Sequence, residues 1–376
     1  MQNVVASEHL VRVSLCKLAS IATGETKLEL MLLLGYKNDV DVATCIRMMQ
    51  VIDLTVTNRI YLNYTDDIDP KFIANSSEND GVQVEKVGFN YPKSAITHIN
   101  NLISSMTYKR IRDIVDSNDI NKSTKMILVS GAHYKGTWEF NFDYRLTRLA
   151  KFHHLNGNTS KIPMMNKLDE FMYNRQGNCE PYHCSHNPSI LLWSTSTLIT
   201  THIYILNFSH GIFLIPHHMI YHGNLESVLQ TIYEEKDFVT SLVKGSELKL
   251  MKVRIPRFKI KTFVDWTGFL QGVNFILFFH SFYFRRHTCV LFSGTYKMSR
   301  YKIKQKVFLQ IDEMGVPRAT PDPNEPDPQP QILSYHLPEF IADRPFYFEV
   351  AWDVDGGRYN MFAGVYHGPE PDIMSF

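Results

Sequence analysis

The sequence predicts an α+β protein, and three observations carry that reading. Helix-like and strand-like stretches are mixed without the regular alternation of a doubly wound chain. Met126–Tyr134 is a nearly continuous run of small and apolar residues, as a strand covered on both faces in the middle of a sheet requires. Tyr301–Asp312 alternates, with Tyr301, Ile303, Gln305, Val307, Leu309 and Ile311 on one side and Lys302, Lys304 and Lys306 on the other. That alternation aims one polar residue, Gln305, into a core.

The remaining elements follow in order. Leu10, Leu15, Leu18, Leu28 and Leu32 recur near a 3.6 period, which predicts two amphipathic, core-facing helices broken at Thr23-Gly24-Glu25-Thr26. The β-branched run Ile52–Leu62 predicts a strand, and Ile99, Leu102, Ile103 and Met106 predict a helix over Ile96–Ile114. Lys249, Lys252, Arg254, Arg257, Lys259 and Lys261 interleave with apolar residues, a pattern that suits the wet face of two strands separated at Pro256 better than a polyanion-binding stripe. Near the carboxyl terminus, Phe346–Trp352 and Tyr359–Tyr366 flank Val354-Asp355-Gly356-Gly357, a hairpin signal. Between Arg318 and Gln331 the stretch RATPDPNEPDPQPQ reads as a solvated polyproline-like loop. Only about 45 residues follow it, too few to close a second core, so it is an excursion within a single domain of residues 1–376.

Composition narrows the function. The 39 Lys+Arg and 38 Asp+Glu leave a net charge of +1, and no global field exists to gather nucleic-acid phosphates or acidic lipids. Hydrophobic residues at 44% and charged residues at 20% are those of a globular chain with a substantial core. Five cysteines at unmatched spacings suggest no disulfide framework, so stability is expected from packing. The amino terminus has no basic head, apolar run and cleavage site, which reads as cytosolic, and Ile190–Phe208 is too polar for a membrane span. Asn63, Asn75, Asn121, Asn158 and Asn207 each begin an Asn-X-Ser/Thr sequon, which matters only if the chain is exported.

No enzyme motif stands up. Gly131–Gly136 is followed by Thr137 and Trp138 where a phosphate loop needs Lys and Ser/Thr, and no nucleophile elbow, His-Glu-X-X-His pair or dinucleotide turn occurs. Cys179, His183, Cys184 and His186 offer zinc-type ligands at no familiar spacing and without a second pair, so an irregular loop is the better reading. No metal and no cofactor are expected.

Leu128-Val-Ser-Gly-Ala-His-Tyr-Lys-Gly-Thr-Trp138, with Phe142-Asp143, Leu146-Thr-Arg148, Phe152, Leu155-Asn-Gly157 and Ile162-Pro-Met-Met165, closely resembles the serpin family. Gly24-Glu25-Thr26, Thr57-Asn58-Arg59-Ile60-Tyr61, Ile99-Asn100 with Thr107 and Ile111, Ile311-Asp312-Glu313-Met314-Gly315, Phe340-Ile-Ala-Asp-Arg-Pro-Phe346 and Phe362-Ala-Gly364 fall in the family's order. The resemblance implies three sheets, about eight or nine helices and an exposed reactive loop that a protease attacks as a pseudo-substrate. In inhibitory members the cleaved loop then enters the large sheet as a new central strand and distorts the acyl-linked protease. It also implies site residues: a hinge at Glu313, Gly315, Val316, Pro317 and Arg318, a scissile bond near Gln329-Pro330, and a breach residue, Trp138. A shutter follows at Ser7, Leu10, Ser130 and Gln305, the last two standing for the family's Asn and His. Gln can donate and accept, and Ser can reach a short partner, so a reduced shutter network is expected.

Where the chain departs from the family, the loop matters most. Inhibitory serpins follow the hinge with small residues, whereas Val316-Pro317-Arg318-Ala319-Thr320-Pro321 follows it here. Pro317, Pro321, Pro323 and Pro326 lack the N–H that a central strand must donate. Arg318 and Asp322 share the face that insertion would bury, at several kcal/mol or so per ion. Pro330 after the scissile bond makes poor bait. Cys179–Phe208 and Asn274–Cys289 match nothing in the family, show no strand alternation and read as retained intron or gene-model error; the chain also starts where a serpin has completed its first helix. The expectation is a serpin with impaired inhibition, alternatively a non-inhibitory binding, carrier or chaperone-like protein, or a degraded gene product. Its partner is a serine protease where inhibition operates and otherwise an unknown protein ligand, with no nucleic acid and no membrane; a monomer in the extracellular space is expected from the family.

Overall fold

A computed structural model describes residues 2–20, 22, 24–35, 55–65, 73, 81–135, 138, 141–176, 189–197, 209–216, 225–234, 247–267, 301–313, 337–354 and 357–370. In chain order the elements are β1 (Val4–Ala6), α1 (Glu8–Ala19), α2 (Gly24–Leu34), β2 (Thr55–Asn63), β3 (Gln83–Val87), α3 (Pro92–Met106), β4 (Met126–Lys135), a 3-10 turn (Tyr144–Leu146), β5 (Arg148–His153), β6 (Thr159–Gln176), β7 (Ser189–Thr197), β8 (Ser209–Pro216), α4 (Leu225–Glu234), β9 (Glu247–Pro256), β10 (Phe258–Asp265), β11 (Tyr301–Ile311), β12 (Glu339–Ile341), β13 (Phe346–Val354) and β14 (Gly357–Tyr366). They belong to two compact units, Met1–Val4 with Lys135–Ile260 and Leu309–Phe376, and Val5–Tyr134 with Lys261–Phe308.

The unit containing Val5–Tyr134 is organised by a five-stranded sheet of order β10-β11-β4-β2-β3, so β4 is central, as its apolar composition requires. α1 starts where the Ser7 hydroxyl accepts from the Leu10 N–H at 3.3 Å, with Glu8 in the first turn and Lys17 in the last, each suited to its end of the helix dipole. Leu10, Val11, Val13, Leu15, Cys16 and Ala19 are all buried, and so are His9, Ser14 and Lys17, so α1 is covered nearly all round rather than on one apolar face. α2 begins at Gly24, so Gly24–Thr26 lie inside the helix and not in the break. Its Leu30 and Leu34 face inward while Leu28 and Leu32 are exposed, against the expected core-facing pair.

α3 buries Ala95, Ile99 and Ile103, an i, i+4, i+8 stripe, and starts with Pro92 in the first turn, where a missing N–H costs nothing. It stops at Met106 and not at Ile114: the Thr107 hydroxyl donates to the Ile103 carbonyl and accepts from the Ile111 N–H, and Tyr108 and Lys109 turn left-handed at φ 49° and 62°. Ile111 and Ile114 reach the same core cluster from the following loop. The Asn100 carboxamide pins that loop, accepting from Ile114 and Val115 N–H at 2.9 and 3.1 Å and donating to the Val115 carbonyl at 2.9 Å.

In the other unit the strands run β14-β13-β8-β7-β6-β9-β12, with β5 also on β6. β6 is continuous over 18 residues and pairs with β5, β7 and β9, and the described strands form two sheets where the resemblance implies three. Ser189–Thr197, within the stretch that shows no strand alternation, is β7 and pairs in register with β6 and β8. The strand break beside Pro256 falls at Arg257, and β13 and β14 form the expected antiparallel hairpin with a register shift at Val350/Ala351. An aromatic cluster fills this core, with Phe258 4.8 Å and Phe346 5.3 Å from the Tyr366 ring.

The expectation about cysteines changes in one respect: Cys16 is disulfide-bonded. An odd total at irregular spacings excludes a full framework but not a single pair. No described helix is long and apolar enough to cross a membrane. Gly315, Val316, Pro317, Arg318, Gln329, Pro330, the Cys179–His186 set and Asn274–Cys289 lie outside the described residues.

Candidate functional site

Two side-chain clusters carry the residues that the resemblance singled out, one in each unit. The first surrounds Gln305 on β11. Alternation puts its side chain inward, where it is fully buried. There its carboxamide grips the main chain of Ser7: Oε1 accepts from the Ser7 N–H at 3.0 Å and Nε2 donates to the Ser7 carbonyl at 2.7 Å. The Ser7 hydroxyl is used separately, as the cap of α1. A further tie runs from the Val5 N–H to the Thr262 hydroxyl at 2.9 Å. Leu10, also fully buried, contributes packing and its carbonyl, which accepts from Ser14 Oγ at 3.4 Å.

Ser130 is buried on β4 but does not join this network. Its Oγ has no hydrogen-bond partner among the described residues, and neither has the carboxamide of Asn58, the residue opposite it on β2. The reduced network expected at Ser7, Leu10, Ser130 and Gln305 therefore becomes a Ser7–Gln305 clamp with Ser130 left out, because Gln305 spends both of its polar groups on the main chain of Ser7. Each buried, unpaired polar group costs about 1–3 kcal/mol, which makes the Asn58/Ser130 pair a weak point of the sheet. Asn58 was legible only as part of the Thr57–Tyr61 block.

The second cluster surrounds Asp312 and Glu313, just after β11. Trp138 Nε1 donates to the Asp312 carbonyl at 2.8 Å, and the Trp138 ring meets the Phe142 ring edge-on at 5.0 Å. Glu313 is 5% exposed. Its carbonyl accepts from the Phe142 N–H at 3.0 Å, and its Oε1 accepts from Thr147 Oγ1 at 2.7 Å and lies 3.5 Å from Arg257 Nη1. A buried carboxylate with a hydroxyl donor and a guanidinium partner is held in one place. Asp143 orders the backbone that presents Thr147: it bonds the Arg145 side chain bidentately and caps the 3-10 turn, and the Arg145 hydrogen bonds hold its carboxyl below the usual range. Sequence reasoning named Glu313 and Trp138 but missed Thr147 and Arg257, whose positions relative to Glu313 only the fold reveals.

A third group went unseen. Lys304, expected on the face of β11 opposite Gln305, is buried there, with Nζ 2.5 Å from Asp119 Oδ1 and 2.6 Å from Asp265 Oδ2. Lys306 on the same face donates to the Arg112 carbonyl at 2.5 Å. Both lysines tie β11 to the segment that connects α3 to β4.

Together these define an α+β protein in which β4, the central strand of a five-stranded sheet, lies beside β11, and β11 is followed by the buried Glu313 and, in the sequence, by a proline-rich stretch. A family model for serpins, described as serine protease inhibitors, matches residues 1–359, and the chain belongs to that family. Antitrypsin of Bombyx mori is 24% identical over 97% of this chain and 88% of its own length, and alaserpin of Manduca sexta is 25% identical over 94% and 85%. Among solved structures, Manduca sexta serpin-12 shares the fold with a TM-score of 0.69 at 19% identity, covering 98% of this chain and 93% of that one. The mouse protein-Z dependent protease inhibitor does so with a TM-score of 0.70 at 18% identity, covering 98% and 92%. Inhibition of serine proteases is the activity of this family, whose members are inhibitors and not catalysts.

Proposed function

We propose that this chain is a serpin whose inhibition of serine proteases by loop insertion is impaired. The observation that carries the reading is the sequence after the hinge, with Pro317, Pro321, Pro323 and Pro326 in the part that would have to become a strand. A strand entering between β4 and β11 must donate to a neighbour on each side, and every proline removes one donor. Arg318 and Asp322 add the cost of burying unpaired ions. The direct β4–β11 pairing and the Ser7–Gln305 clamp fit a sheet kept closed.

The test is incubation of the full chain with a trypsin-like and a chymotrypsin-like protease. No detergent-stable covalent complex is expected, and loop cleavage should leave the melting temperature unchanged. A stable complex, or a gain in melting temperature on cleavage, overturns the proposal. Replacing the four prolines and Arg318 by Ala should move the protein toward the inhibitory outcome. A second reading, a binding, carrier or chaperone-like protein, is favoured by the same prolines and predicts that this variant gains complex formation while the parent keeps a cooperative melt. Export to an extracellular, oxidising compartment is part of the proposal, and the bonded Cys16 supports it.

A further inference from the structure

We infer that Asn158 and Asn121 are acceptor sites for N-linked oligosaccharide and that Asn63 is not. The three share a sequon, and what separates them is where the fold puts each carboxamide. Asn63 is 2% exposed at the end of β2, opposite Val87 of β3, with its N–H bonded to the Lys125 carbonyl. A bulky polar substituent there has no way out of the sheet, so a modified chain could not complete β2.

Asn158 stands at the tip of the β5–β6 hairpin, where Leu155 to Thr159 are exposed. Main-chain hydrogen bonds close the tip: Gly157 N–H donates to the His154 carbonyl at 3.0 Å, His154 N–H donates to the Asn158 carbonyl at 2.8 Å, and Gly157 takes the positive φ of 82° that the turn needs. Main-chain groups are thereby satisfied without the Asn158 side chain, which projects from a loop tip where substituents are tolerated. Ser160 Oγ, the sequon hydroxyl, is 2.9 Å from His154 Nε2. Asn121 lies in a second exposed turn, and its Oδ1 accepts from the N–H and the hydroxyl of Ser123, its own sequon residue, at 2.8 and 2.6 Å. Its Nδ2, the atom that would carry sugar, has no bond to any described residue in that turn.

The donor required is an oligosaccharide on a polyprenyl pyrophosphate. A bond forms between the carboxamide Nδ2 and the sugar C1 while the C1–O bond to pyrophosphate breaks; Nδ2 gives up one proton and the polyprenyl pyrophosphate leaves with the bonding pair. No redox step is involved. The inference rests on export and is independent of whether the loop inserts.

The full chain secreted from a eukaryotic cell behind a cleavable leader should run heavier than the same chain treated with a peptide N-glycosidase. Mass mapping should show Asn158 and Asn121 converted to Asp by that treatment and Asn63 unconverted. Asn158→Gln and Ser160→Ala should each remove the same single glycan, and Ser160→Thr should restore it, which separates loss of the acceptor from loss of folding. An unmodified Asn158 or Asn121 in folded secreted protein, or a glycan on Asn63, overturns the assignment. A protease-complex assay on the same material reads the proposed function separately.

Discussion

Replacing Lys304 by Ala removes the only cation described beside the Asp119 carboxylate and leaves that carboxylate buried. The Lys304 and Asp119 side chains are 7% and 5% exposed and 2.5 Å apart, whereas Asp265 is 42% exposed. Breaking a buried pair from one side costs about 3–5 kcal/mol, while the exposed Asp265 contact adds about 1 kcal/mol or less. At about 2.1 cal/mol/K of unfolding entropy per residue, 376 residues give roughly 0.8 kcal/mol/K, so the melting temperature should fall by about 4–6 °C. Urea titration and calorimetry of Lys304→Ala, Asp119→Leu and the Lys304→Met/Asp119→Leu double variant measure this. The double variant should recover most of the loss, since an apolar pair of similar volume leaves no stranded charge. Burial works against the Lys304 charge, but the two carboxylates outweigh it and hold the ammonium above its ordinary pKa. Its stabilising effect is therefore complete below the ordinary lysine value and fades only as pH rises through the higher folded one, so the deficit of the single variant should be flat from about pH 6 to 9. A loss under about 1 kcal/mol for Lys304→Ala, or a double variant as weak as the two singles summed, refutes the reasoning.

Four other outcomes are expected. Gln305→Leu strands the Ser7 N–H and carbonyl in the core and should cost about 2–5 kcal/mol in urea unfolding. Gly364→Ala would set a Cβ 2.4 Å from the Val4 carbonyl oxygen and 2.5 Å from Phe348 Cζ, so it should destabilise by about 3 kcal/mol or prevent folding. Gly157→Ala, which meets open space and only a positive φ, should cost about 1 kcal/mol in the same measurement. Burial, with the Arg12 charge adding to it, holds His9 at about 4 against an ordinary 6.5. The unfolded chain then takes up the proton first, so stability present above the ordinary value declines as pH falls toward the folded one, by up to about 3 kcal/mol. His9→Leu should flatten that part of the pH-stability curve; an unchanged slope would show that His9 is not its source.

Local periodicity was enough for the α3 stripe, the central position of β4 and the inward side chain of Gln305, because each depends on residues near in sequence. It failed where the chain changes direction: Ile111 and Ile114 continue a helical spacing, but the left-handed turns at Tyr108 and Lys109 end the helix first. Alternation told which side of β11 Lys304 occupies, yet not that Asp119 and Asp265 would meet it there, since the cover comes from distant segments. For the same reason Glu313 was legible through the family pattern while Thr147 and Arg257, which hold it, were not. Ser130 was legible as a position on β4, but a family pattern fixes position and not hydrogen bonding, and its hydroxyl has no partner among the described residues.

Gln305 fastens β11 to peptide atoms of residue 7, not to a side chain. Drift at position 7 is thus constrained by its service at the start of α1 and by its burial, and a small neutral capping residue such as Thr leaves the fastening intact. Position 305, in contrast, needs a side chain that can both donate and accept at that reach, so the two ends of a single contact evolve under unequal restraint.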